Sequence, residues 1–118
     1  MSSIRVVVTG VGMITPVGKD AQSSWEALLA GRSGAAPITR FDTSAFEVQF
    51  ACQINDFDPA QHLDFKEARR MARYTQFAMV AAQEALNDSG LSITAENAPR
   101  VGVIIGTGIG GAEAVIEA

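Results

Sequence analysis

Two short β-branched runs, each followed directly by glycines, constrain the fold of this chain most strongly. The first spans 5–9 (RVVVT) and precedes Gly10 and Gly12, and the second spans 100–105 (RVGVII) and precedes the loop GTGIGG at 106–111. Runs of this length and composition are typical of strands buried in a parallel sheet. The sequence therefore predicts two buried strands that each end in a glycine-containing loop.

The first predicted helix begins at Asp20, which is a suitable N-cap. Trp25, Leu28 and Leu29 follow at helical spacing, so they are predicted to form one apolar face. Gly31 is the expected C-terminal stop.

The second predicted helix begins at Asp64, with Glu67 three residues later as in a capping box, and ends at Gly90. Its alanine-rich face predicts close packing against another element. Because a helix that runs from Asp64 to Gly90 would be long for a globular protein, we expect a bend near Ala72.

A further strand is predicted where Val48, Phe50, Cys52 and Ile54 alternate with more polar residues. Cys52 lies on the face expected to be buried. Since the sequence places no helix N-terminus or cation beside it, we interpret Cys52 as a structural cysteine rather than a nucleophile.

The order of these elements indicates an α/β fold. Residues 112–118 have the composition of a helix that stops without a cap. We therefore expect residues 1–118 to be the N-terminal part of a larger domain, truncated within a helix.

Composition narrows the functional classes. The chain has 118 residues, a net charge of −4 and a single cysteine. A mildly acidic chain is a poor binder of nucleic acid, and no apolar run approaches the roughly 18 residues that span a membrane. One cysteine excludes an internal disulfide and suits a reducing, cytoplasmic compartment.

The glycine loops suggest three kinds of site. Gly106, Gly108 and Gly111 match the dinucleotide fingerprint GxGxxG, whereas the first loop departs from it at Thr15. The main-chain amides of 106–111 could instead bind an anion or oxyanion, or the loop could be a turn where backbones approach closely. The residues alone leave these alternatives open.

A basic cluster is the clearest candidate binding surface. Lys66, Arg69, Arg70 and Arg73 have the spacing of one helical face and are four of the nine basic residues. They could attract an acidic partner or form a solvated surface. His62 is the one histidine, so a site with several histidines is excluded, and we expect it on the surface.

Taken in order, several motifs resemble the N-terminal region of the elongating, type II β-ketoacyl-acyl-carrier-protein synthases. They are VVVTGVGMITPVG, the WEALL helix with GRSG, FDTSAF, RRMARYTQFA, NDSGL and RVGVIIGTGIGG. Each motif alone is weak, but their shared order and spacing cover the whole chain.

This resemblance implies part of the N-terminal half of a thiolase-like, layered α-β-α-β-α sandwich. It implies fatty-acid elongation without a cofactor or metal, by a cytoplasmic homodimer that acts on acyl and malonyl carrier proteins. The catalytic cysteine and two histidines of the family would follow this segment, so the segment alone is expected to be inactive.

Two sets of residues match family positions with known roles. Lys66, Arg69 and Arg70 correspond to basic residues that contact the carrier protein, and Arg73 extends that surface. Ile109, with Thr107 and Gly108, corresponds to the lining of the acyl pocket. Two alternatives remain: a segment of a polyketide ketosynthase or chain-length factor, and a non-catalytic dinucleotide-binding module.

Overall fold

The computed structural model describes residues 3–112 of the chain. These residues form two compact units, one of residues 13–58 and one of residues 3–12 with 59–112. The predicted terminal helix lies, apart from Ala112, outside the described residues. In the described part of the chain, no helix has the length and apolar character needed to cross a membrane.

The unit of residues 13–58 is built on helix α1, Ala21–Leu29. The predicted cap is confirmed: Oδ1 of Asp20 accepts from the main-chain N–H of Ser23 at 2.7 Å, and the Ser23 side chain completes a capping box. Two hydrogen bonds lower the pKa of Asp20: the larger effect comes from the Ser23 hydroxyl and the smaller from the Ser23 main-chain N–H. Gly31 follows the helix with φ of 66°, as the predicted stop requires.

The buried face of α1 differs from the predicted one. Trp25 is 59% exposed, whereas Ser24 is fully buried and Ala27 is nearly so. Ser24 is buried because the turn at residues 15–18 packs against it. The hydroxyls of Thr15 and Ser24 lie 2.9 Å apart, and a Cβ at Gly18 would collide with Ser24. The predicted face of Trp25, Leu28 and Leu29 is exposed within the described residues.

A two-stranded antiparallel sheet completes this unit. Strand β1, Ala35–Pro37, pairs with β2, Phe50–Cys52, in the register Ala35 to Cys52. The strand predicted around Cys52 is thus present but short, and its predicted buried face is wrong. Cys52, expected on the buried face, is exposed.

Within residues 3–12 and 59–111, the other unit contains two helices and two 3₁₀ turns. Helix α2 is Phe65–Ala68 and helix α3 is Arg73–Ser89; the 3₁₀ turns are Pro59–Gln61 and Ala98–Arg100. Asp64 caps α2 through the main-chain N–H groups of Lys66 and Glu67, as predicted. The expected bend is a full interruption between the two helices.

The first glycine-containing segment packs against α3. A Cβ at Gly10 would lie 2.6 Å from the main-chain N of Ser89, and one at Gly12 would lie 2.8 Å from that of Ala85. The predicted close packing of the alanine-rich face is therefore confirmed. These glycines permit a close approach of backbones.

The two predicted buried strands are not formed within the described residues. Residues 5–9 and 100–105 contain no strand, and Val6 and Ile104 are 90% and 100% exposed. A β-branched run becomes a strand only where a neighbouring segment accepts its ladder hydrogen bonds. Within residues 3–112, such pairing is confined to β1 with β2 and to the bridge between Thr15 and Gly18.

Candidate functional site: a basic cluster and a glycine loop

The basic cluster comprises Lys66, Arg69, Arg70 and Arg73, which span the interruption between α2 and α3. Lys66 lies in α2, Arg69 is its C-cap, Arg70 lies between the helices and Arg73 begins α3. The single helical face predicted from their spacing is thus divided. The first three residues are exposed and Arg73 is half-buried, so the cluster still presents positive charge to solvent.

Aromatic rings support two of these arginines. The guanidinium carbon of Arg69 lies 5.6 Å from the ring centroid of Phe65, and that of Arg73 lies 5.0 Å from the ring centroid of Phe77. Such cation–π contacts contribute about 0.5–1 kcal/mol at exposed sites. They restrict the long side chains without neutralising their charge.

Gln76 holds the helix interruption in place. Its Nε2 donates to the main-chain oxygen of Ala68 at 2.9 Å and to that of Met71 at 3.4 Å. These carbonyls are at the end of α2 and in the following turn, where helical partners are missing. Gln76 therefore fixes the course of the chain on which the basic cluster lies.

The candidate acyl-pocket loop comprises residues 107–111. The Thr107 hydroxyl accepts a hydrogen bond from the main-chain N–H of Gly110 at 2.9 Å. Ile109, at the apex, is 89% exposed, and a Cβ at Gly108 would contact nothing within 4 Å. The loop thus has an ordered turn with an accessible apolar tip, and its role in an acyl pocket stays a prediction.

Tyr74 connects the two candidate sites. It directly follows Arg73 in α3, and its ring lies against the loop: a Cβ at Gly110 would be 2.7 Å from Cδ2, and one at Gly111 would be 3.0 Å from Cε1. The sequence pattern assigned Tyr74 no role in the site. The helical position of Tyr74 and the neighbouring glycines 110 and 111 are each visible in the sequence, but nothing in the sequence indicates that they are in contact.

The two residue types expected to perform catalysis in the family, cysteine and histidine, occur once each in the chain. Cys52 lies in β2 opposite Ala35, and not at a helix N-terminus. His62 follows the 3₁₀ turn Pro59–Gln61 and is exposed, as predicted. Neither side chain belongs to the basic cluster or to the glycine loop.

Comparison with known proteins identifies the family. The family model described as "Beta-ketoacyl synthase, N-terminal domain" matches residues 3–118. The chain is 54% identical over 111 residues to 3-oxoacyl-[acyl-carrier-protein] synthase 2 of Coxiella burnetii, covering 94% of this chain and 27% of that protein. It is 52% identical over 118 residues to the synthase of the same name from Vibrio harveyi, covering 100% of this chain and 28% of that protein.

A solved structure shares the fold. The chain described as "The ishigamide ketosynthase/chain length factor" is 42% identical with a TM-score of 0.62, and the match covers 73% of the present chain and 21% of that chain. This likeness confirms the predicted α/β, thiolase-like fold class. The chain spans little more than a quarter of the length of the curated relatives, and it belongs to the β-ketoacyl synthase family as a segment of the N-terminal domain.

Proposed function

We propose that this chain is the N-terminal segment of a 3-oxoacyl-[acyl-carrier-protein] synthase of type 2, an acyltransferase of fatty-acid elongation. The observation that carries the proposal is the identity of 52% to the Vibrio harveyi synthase, sustained over all 118 residues. The alternative of a dinucleotide-binding module is not retained, because family membership accounts for the GTGIGG loop.

The proposed reaction is a decarboxylative Claisen condensation. A cysteine thiolate attacks the acyl thioester on a carrier protein and releases the carrier thiol. Malonyl-carrier protein then loses carbon dioxide, and its carbanion attacks the acyl-enzyme carbonyl, which expels the cysteine. Two histidines would stabilise the charge that develops on the thioester oxygen.

We assign these catalytic groups to polypeptide outside residues 1–118. A reactive thiolate needs a helix N-terminus or a neighbouring cation, and Cys52 lies within the β1–β2 hairpin. The segment contains one histidine, His62, whereas the reaction as proposed uses two. The proposed roles of this segment are therefore docking and pocket formation.

The basic cluster is the proposed docking surface for the carrier protein. Lys66, Arg69 and Arg70 are exposed on a chain whose net charge is −4, so they form a local positive surface on an acidic protein. A surface of this kind attracts an acidic partner and increases the association rate.

The loop at 107–111 is proposed to line the acyl pocket through Thr107, Gly108 and Ile109. The exposed isoleucine gives the loop an apolar tip of the kind that an acyl chain requires. The full-length protein is proposed to act as a cytoplasmic homodimer without a cofactor or metal, and to bind neither nucleic acid nor membrane.

A condensation assay tests the proposal. The full-length synthase that carries this segment should convert acyl-carrier protein and malonyl-carrier protein to the β-ketoacyl product with release of carbon dioxide. The 118-residue segment alone should form none. Lack of condensation by the full-length protein, or turnover by the segment alone, would contradict this assignment.

A polyketide role is the second candidate, favoured by the 42% identity to the ishigamide ketosynthase/chain length factor chain. Its discriminating observation is the acyl substrate: a fatty-acid enzyme elongates chains whose β-carbon is fully reduced, whereas a polyketide enzyme accepts chains that keep a β-keto group or a double bond at that carbon. A full-length protein that lacks the nucleophilic cysteine would indicate a chain-length factor.

A further inference from the structure

The ring of Tyr74 packs against the loop at 107–111. A Cβ at Gly110 would be 2.7 Å from Cδ2 and 2.9 Å from Cε2 of the ring, closer than real Cβ contacts allow. The next glycine, Gly111, faces the opposite ring edge, where an added Cβ would lie 3.0 Å from Cε1. A Cβ would thus collide with the ring at Gly110 and would lie in tight contact with it at Gly111.

The loop is also held from within. The Thr107 hydroxyl accepts from the Gly110 N–H at 2.9 Å, and Gly111 has φ of 81°, a conformation that other residues rarely adopt. Gly110 is therefore fixed between the Thr107 hydroxyl and the Tyr74 ring. The residue before it, Ile109, is the exposed tip that the proposed function places in the acyl pocket.

We propose that Tyr74 is a positioning residue for the acyl pocket: its ring sets the conformation of residues 107–111, and thereby how strictly the enzyme selects acyl-chain length. This inference rests on the proposed function of the loop. The contacts involve ring carbons of Tyr74, with its hydroxyl oxygen 3.6 Å from a Cβ at Gly111, so the ring rather than the hydroxyl performs the role.

The test compares Tyr74→Ala with Tyr74→Phe in the full-length synthase. The measured quantity is chain-length selectivity, which is kcat/KM for the preferred acyl chain divided by kcat/KM for a chain that differs by two carbons. We expect Tyr74→Ala to lower this selectivity about tenfold, which is an ordinary size for a change in how a pocket discriminates between substrates. Tyr74→Phe keeps the ring and should restore the wild-type ratio. Affinity for the carrier protein should stay unchanged, because the basic cluster is intact.

A second readout does not depend on activity. Hydrogen exchange of a peptide covering residues 105–112 should be faster in Tyr74→Ala than in wild type or Tyr74→Phe, because the variant lacks the ring that holds Gly110 beside the Thr107 hydroxyl. Met79→Ala is the matched control: Met79 lies in the same helix and its exposure, 42%, equals that of Tyr74. It should alter neither selectivity nor exchange in this peptide.

The outcomes separate the two proposals. If the wild-type protein does not condense, the proposed function fails, while the exchange comparison still decides whether Tyr74 positions the loop. If it condenses and Tyr74→Ala matches Tyr74→Phe in both readouts, the positioning role is refuted. Should Tyr74→Ala not fold, Tyr74→Leu replaces it, since leucine retains apolar bulk without the planar ring, and the same comparison applies.

Discussion

The main-chain N–H of Val11 donates a hydrogen bond to Oδ2 of Asp88 over 2.9 Å, joining residues 77 positions apart. Asp88 lies in the last turn of α3, and Gly10 and Gly12 on either side of Val11 are the positions where the backbone approaches this helix. The hydrogen bond and the two glycines together attach the N-terminal segment to the helix that also carries Arg73 and Tyr74.

Removal of the Asp88 acceptor should loosen this attachment. Asp88→Ala leaves the Val11 N–H without its partner, and we expect a loss of about 1 kcal/mol in the free energy of unfolding. Asp88→Asn keeps a side-chain oxygen that can accept the same hydrogen bond, and should retain most of the stability. Urea unfolding of the full-length protein measures both; equal losses in the two variants would mean that the hydrogen bond is not the source of the effect.

A Cβ at Gly12 should be more costly than the loss of that hydrogen bond. In Gly12→Ala the methyl group would collide with the backbone of Ala81 and Ala85, which cannot move as a side-chain end can. Overpacking of this kind costs about 1–3 kcal/mol. Val11→Ala is the control, because it changes the neighbouring side chain, which is 48% exposed, and should have a smaller effect on the urea midpoint. A Gly12→Ala protein as stable as Val11→Ala would contradict the close approach.

Charge reversal in the basic cluster tests the docking proposal. Lys66→Glu with Arg70→Glu should weaken binding of the carrier protein about tenfold or more at low salt, chiefly through a slower association rate. The effect should shrink as salt rises, since exposed charges are screened. Surface plasmon resonance at two salt concentrations measures both rates.

The matched control for charge reversal is Arg32→Glu with Arg100→Glu. Both arginines are exposed and lie outside the basic cluster, and the change in net charge is identical. If this pair weakens binding as much as the cluster variant does, overall charge rather than a docking surface governs the association.

The cap at Asp20 should make α1 sensitive to acid. The hydrogen bonds from Ser23 lower the pKa of Asp20 in the folded state. The stabilisation that they give is therefore present above the pKa of Asp20 in the unfolded chain, about 4, and is lost as the pH falls through the lower pKa of the folded state. Asp20→Ala should cost about 1 kcal/mol at pH 7, and the difference from wild type should narrow below about pH 4. Thermal unfolding measured from pH 7 to pH 3 checks this; a difference that stays constant with pH would contradict it.

Features set by neighbouring residues could be predicted from the sequence. Asp20 and Asp64 cap their helices, and Gly31 and Gly90 follow helix ends with φ of 66°, because each depends on hydrogen bonds or dihedral angles within a few positions. The close packing of the alanine-rich face of α3 was also predicted correctly, because small side chains at helical spacing let another segment approach the helix closely.

Features that depend on distant partners could not be predicted. The runs at 5–9 and 100–105 have the composition of strands, but strand formation requires ladder partners that these residues do not find within 3–112. The buried face of α1 was predicted wrongly because the turn that covers Ser24 is held by a hydroxyl contact, which hydrophobic periodicity does not register. The contact of Tyr74 with the glycine loop was missed because it joins residues that are far apart in the sequence.

The central claim is that this segment docks the carrier protein and shapes the pocket while the nucleophile lies outside it, and acyl-site mapping tests this most directly. The full-length synthase is incubated with acyl-carrier protein, digested, and searched by mass spectrometry for the cysteine that holds the acyl thioester. The account predicts a thioester on a cysteine outside residues 1–118 and an unmodified Cys52. An acyl group on Cys52, lost together with activity in Cys52→Ala, would contradict it.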